Sequence, residues 1–185
     1  MEKRGNKTAL LVVDVQVAPF IWKDYGGPEL YRGGELIGTL SGLMKRAREA
    51  GAPVIYIRHT EEPGTPRGEG GPIWHVHPEI APLPGDPALN KSHADPFLGT
   101  GLHELLQELG VGRLVITGVQ TEYCVDTACR SAFGLGYRVT LVTDGHTTFD
   151  SEVLKAEQII AHHHTVLGGL FAELREAGEV QFAAS

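Results

Sequence analysis

The sequence has little cysteine: Cys124 and Cys129 stand five positions apart, with no second pair to complete a thiolate metal cluster. On a helix that spacing puts them on different faces, so a disulfide between them is not expected. Both are read as thiols in a reducing cytoplasm. Long apolar runs are also missing. The longest, Ala9 to Val13, has strand length, far below the ~20 residues of a membrane span, and no signal peptide is expected ahead of it. Positive charge is not in excess, since 16 Lys and Arg against 23 Asp and Glu give −7, with the acids scattered. That balance excludes a nucleic-acid partner and a basic membrane-binding patch. There is no internal repeat, low-complexity tail or linker. No phosphate loop with Lys-Ser/Thr occurs, and Phe133-Gly-Leu-Gly136 is too short for a dinucleotide fingerprint, so no cofactor is expected.

What is present suits one soluble domain over residues 1–185, with 42% hydrophobic and 21% charged residues. Runs rich in Val, Ile and Leu predict strands at Thr8–Val15, Pro53–His59, Arg113–Val119 and Arg138–Thr143, with Ala88–Lys91 a weaker candidate. Each run is nearly continuous, as in a parallel sheet covered on both faces. Between them, Glu35–Ala50 carries Leu36, Leu40, Leu43, Met44 and Ala47 on one helical face and stops at Gly51, a fitting C-cap. Helices are also predicted over Gly101–Leu109, Thr121–Phe133 and Ser151–Phe171, the last broken near Gly168–Gly169. A short edge strand is predicted at Glu179–Phe182. This alternation implies an open, mostly parallel sheet with helices on both faces, an α/β fold. Glu61–Pro87 stands apart, with seven of the eleven prolines and five glycines, as expected of a lid or binding loop.

In open parallel sheets the ligand crevice lies outside the carboxyl ends of the strands. Asp14, Lys91 and Cys124 each follow a predicted strand, so a carboxylate, an ammonium and a thiol converge on one edge. Such a set supplies a nucleophile, a proton acceptor and a cationic stabiliser. Cys124 is expected in the first turn of a helix near Thr121. Free amides and the helix dipole there would favour thiolate and could hold an oxyanion. Cys129, among Thr127, Ala128 and Ala132, is read as core.

At these residues the sequence resembles the isochorismatase-like cysteine hydrolase superfamily, which includes nicotinamidases, N-carbamoylsarcosine amidases and streptothricin hydrolases. The matching pieces are Leu11-Val-Val-Asp-Val-Gln16, Asn90-Lys91, Gly118-Val-Gln-Thr-Glu-Tyr-Cys-Val-Asp-Thr127 and Arg138-Val-Thr-Leu-Val-Thr-Asp-Gly-His-Thr-Thr148. They run in order from about residue 8 to 172. The resemblance implies a three-layer α/β/α fold with a six-stranded sheet. It also implies a homodimer or homotetramer, and a non-proline cis peptide Val119–Gln120 that aims the Gln120 and Cys124 amides into an oxyanion hole. The implied activity is cysteine-dependent hydrolysis of a small amide through a thioester, with Asp14 exchanging protons and Lys91 supporting negative charge. Replacing Asp14 with Asn is then expected to abolish turnover and to raise the Cys124 pKa.

The match departs from nicotinamidases at their zinc site. Ile57-Arg58-His59-Thr60 lacks the required Asp, so His59, His75 and His77 are read as pocket or loop residues rather than metal ligands. His162-His163-His164 lacks i, i+3 or i+4 ligand spacing and is read as helix surface and packing. Gln16 is expected to orient Asp14 and, with Phe20 and Trp74, to line the substrate pocket. The Gln120–Thr127 motif looks more like the streptothricin-hydrolase branch. Two other readings remain: isochorismatase-type vinyl-ether hydrolysis, which needs no cysteine nucleophile, and a non-catalytic redox sensor using Cys124.

Overall fold

A computed structural model describes residues 5–182. Six strands form one sheet: β1 (Lys7–Val13), β2 (Val54–His59), β3 (Ala88–Lys91), β4 (Val111–Val119), β5 (Arg138–Thr147) and β6 (Glu173–Arg175). Their order is β3-β2-β1-β4-β5-β6 and every pairing is parallel. Five α-helices accompany them: α1 (Val17–Ile21), α2 (Gly33–Glu49), α3 (Leu102–Glu108), α4 (Asp126–Gly134) and α5 (Ala156–Gly168).

The continuous apolar runs have a direct cause in the layering. Along β1 and β2, Leu10, Val12, Val54 and Tyr56 pack beneath Leu36, Leu40, Leu43 and Met44 of α2. The alternate residues Ala9, Leu11, Val13, Ile55 and Ile57 pack against Leu102 and Leu106 of α3, Ala128 and Ala132 of α4, and Leu167 of α5. With both faces covered, every strand position favours an apolar side chain. Leu40, fully buried at the centre of α2, contributes about 1.5–3 kcal/mol by its removal from water. Cys129 is fully buried in the second layer, a free thiol acting as a small apolar residue.

Three expectations need correction. No strand forms over residues 179–182; the edge strand is β6, while Val180 and Phe182 fold back into the α2 layer. The last helix begins at Ala156 rather than Ser151. Ser151 Oγ accepts the Val153 and Leu154 amides, and Asp150 accepts the Ala156 amide at 2.9 Å, which holds 150–155 in a turn. The segment opening at Thr121 is not one α-helix: Thr121–Val125 form a π-helical turn, and α4 starts only at Asp126.

Candidate active site

The central strands end together at one edge. Val13 at the end of β1 lies between Ile57 of β2 and Gly118 of β4, and His59 at the end of β2 is level with Lys91 of β3. A Cβ on Gly118 would stand 2.0 Å from the Val13 carbonyl oxygen, so only glycine permits this approach. Directly after it, the chain turns sharply. Asp14 adopts φ 53°, in the left-handed region that Asp tolerates better than most residues, and its amide donates to the Ile57 carbonyl at 2.9 Å. The Val119–Gln120 peptide bond is cis, and the Gln120 carbonyl accepts the Tyr123 and Val125 amides, closing the π-helical turn that carries Cys124.

These turns bring the three reactive side chains together. Lys91 Nζ lies 2.6 Å from Asp14 Oδ2, 3.2 Å from Cys124 Sγ and 2.9 Å from the His93 carbonyl oxygen. A carboxylate, a thiol and a carbonyl oxygen thus surround the ammonium of a lysine whose side chain is fully buried. Lys91 pairs with Asp14 as an ion, and neither Asp14 oxygen has a hydrogen-bond partner among the described residues. Burial pushes the Cys124 thiol up to about 12, reinforced by the Asp14 charge and opposed by Lys91. The expected helix-end thiolate is therefore corrected to a neutral resting thiol. Cys124 lies ahead of α4, and the first turn of that helix is already occupied by Asp126, bonded to Arg130 at 2.8 Å.

The thiol opens on a cavity of about 250 Å³, whose walls include Asp14, Ala18, Pro19, Val119, Gln120 and Tyr123. Gln16 also lines it but does not hold Asp14. Its amide accepts the His59 N–H at 2.8 Å and donates to the His59 carbonyl at 3.0 Å, locking the end of β2. Phe20 and Trp74 are absent from the lining, which corrects their assignment. Phe20 packs on the α2 layer with its ring 4.6 Å from that of His77. Trp74 is buried beneath the Arg58 guanidinium and donates to Thr60 Oγ1 at 2.8 Å. His59, Arg67 and Tyr123 line the cavity instead. Their composition gave no signal, because their place depends on how the long loop folds. His75 packs edge-on against Trp74, and no three potential metal ligands converge among the described residues.

One histidine of the helical tract has a partner that sequence spacing did not reveal. His164 Nε2 lies 2.9 Å from Nε2 of His146 on β5, and His146 Nδ1 lies 2.8 Å from Thr121 Oγ1 in the nucleophile turn. This chain ties α5 and β5 to the segment bearing Cys124. Burial first, then His164 and His163, together pull His146 down to about 3. An unfolded histidine titrates near 6.5, so between that pH and about 3 only the unfolded chain takes up the proton. Stability is accordingly full above pH ~6.5 and declines below it, by at most about 1.4 kcal/mol per pH unit. Urea midpoints at pH 7, 6 and 5 should fall in that order, and His146→Gln should flatten the slope. An equal slope in the variant would show that other groups control the acid limb.

The molecule is thus an open parallel α/β sheet with a thiol, a carboxylate and an ammonium clustered at its carboxyl edge. The signature of the Isochorismatase domain matches residues 8–163, and the chain belongs to the isochorismatase family of hydrolases. A streptothricin hydrolase of Streptomyces noursei is 39% identical over 142 residues, covering 77% of this chain and 50% of the relative. The chain therefore spans about half of that relative's length. A second streptothricin hydrolase of the same organism is 34% identical over 184 residues, covering 96% of this chain and 71% of the relative. A crystallised isochorismatase family protein superimposes with a TM-score of 0.84 at 34% identity, covering 91% of this chain and 98% of its own. Among the described residues no helix is long and apolar enough to cross a membrane.

Proposed function

We propose that this chain hydrolyses a carbon–nitrogen bond of a small, non-peptide amide, with Cys124 as nucleophile. The observation that carries the reading is the placement of Lys91 Nζ between Asp14 and Cys124, at 2.6 and 3.2 Å, beside a cavity of small-molecule size. Similarity to streptothricin hydrolases supports the same chemistry. Because the resting thiol is neutral, attack requires a base. Asp14 takes the proton from Cys124 as the sulfur bonds to the amide carbon. The carbonyl oxygen becomes an oxyanion held by the Gln120 and Cys124 amides, while Lys91 balances the negative charge. Asp14 returns its proton to the departing nitrogen, leaving a thioester. Asp14 then deprotonates water, which attacks the thioester; the acid leaves and the cysteine thiol is restored.

The test is release of ammonia or amine from a panel spanning nicotinamide, ureido compounds, carbamoyl amines and cyclic amides, with Cys124→Ala alongside. Turnover in the parent and none in the variant is the expected result. Turnover surviving in Cys124→Ala would remove the thiol from the mechanism.

A further inference from the structure

We infer that the substrate of this site carries a carboxylate, or a comparable planar anion, and that Arg67 binds it. The inference rests on the amide-hydrolase reading and adds to it the chemical class of the group beside the scissile bond. The charged side chains lining the Cys124 cavity are Asp14 and Arg67. The Asp14 charge is balanced from behind by buried Lys91, so it presents no net attraction to a cation. His59, the other titratable side chain of the wall with a displaced pKa besides Cys124, is kept low by burial and by Lys91, and stands neutral near pH 7. Arg67 is then the remaining charge facing a ligand.

Its counter-ion lies on the other side. Glu61 accepts from Arg67 Nη1 at 2.8 Å, yet Glu61 borders the neighbouring groove rather than this cavity. One arm of the guanidinium is thereby held from outside, and a guanidinium has further N–H groups with which to grip a planar anion. Both partners are about one-third exposed, and an ion pair so open to solvent does not compete strongly with a ligand. The loop that presents Arg67 is built by its own backbone. The Glu61 amide donates to the Arg67 carbonyl at 3.1 Å, Gly68 donates to Thr65 at 3.0 Å, and Ile73 donates to Pro66 at 3.3 Å. A Cβ on Gly68 would stand 2.5 Å from the Glu62 carbonyl oxygen, so the residue after Arg67 must be glycine for the loop to close. A cleft whose walls include Ala18, Pro19, Ala94 and Val119 thus has one cation fixed in its lining.

The experiment compares succinamate with its neutral isostere succinamide and with cationic β-alaninamide, binding to Cys124→Ser protein, followed by chemical-shift titration. Succinamate is expected to bind at least tenfold more tightly than either. Adding Arg67→Gln should erase that preference, and Arg67→Lys should keep part of it. Equal affinity for succinamate and succinamide in the parent, or a preference that survives Arg67→Gln, would overturn the assignment. A charge preference that depends on Arg67, in a wild-type protein that releases no amine from any amide, would support the anion site and overturn the hydrolase reading instead.

Discussion

Asp14→Asn is expected to abolish amide turnover while making Cys124 easier to ionise. Burial and the nearby Asp14 charge both hold the proton on sulfur, whereas Lys91 acts the other way. Removing the charge leaves Lys91 without its ionic partner and 3.2 Å from sulfur. Alkylation of Cys124 by iodoacetamide should then begin at lower pH than in the parent. Turnover should fall by at least the ~10²–10⁴ that a positioned base contributes, because an amide nitrogen cannot accept the thiol proton as a carboxylate does. A thiol that is more reactive to alkylation in an enzyme that no longer turns over separates the base role from simple thiol activation. Alkylation moving to higher pH would restore the expectation drawn from sequence and show that the Asp14 charge does not help to keep the thiol neutral.

Lys91→Met is expected to be the most damaging single change to stability. The lysine side chain is fully buried and the Asp14 side chain is 8% exposed, so truncation leaves a carboxylate without its counter-ion in a nearly dry site. Breaking such a pair from one side costs about 3–5 kcal/mol. For a chain of this size that corresponds to a loss of roughly 6–20 °C in Tm. Adding Asp14→Asn to Lys91→Met should recover part of the loss, because the stranded charge disappears. Scanning calorimetry of the two singles and the double checks this. A double variant no more stable than Lys91→Met would mean that packing of the lysine stem, not charge pairing, sets the cost.

The layers were legible because burial on both sides of a parallel strand writes an uninterrupted apolar run, as in Ala9–Val13 and Leu114–Ile116. Strand β6 was not legible, since three residues alternating exposed, half-buried and exposed leave no such run. The start of α5 was misplaced for a local reason: side-chain hydrogen bonds from Asp150 and Ser151 compete with the helix, and apolar spacing does not register them. Phe20 and Trp74 were assigned to the pocket by nearness in sequence and residue type. The antiparallel bridge between Gln16 and Val76 fixes the loop beside the site, where Trp74 is buried away from the cavity and Arg67 lines it.

The alternation of strands and helices, the edge at which chemistry gathers, and the candidacy of Asp14, Lys91 and Cys124 were legible in the sequence itself. Each is written in local pattern: an apolar run, the residue that follows it, and the turn after that. The protonation state of the thiol, the pairing of His146 with His164 and the walls of the cavity were decided by the tertiary structure. They depend on which charges and rings meet across 33 or 18 positions of chain, and the energy of such meetings is set by distance and burial in space, not by spacing along the sequence.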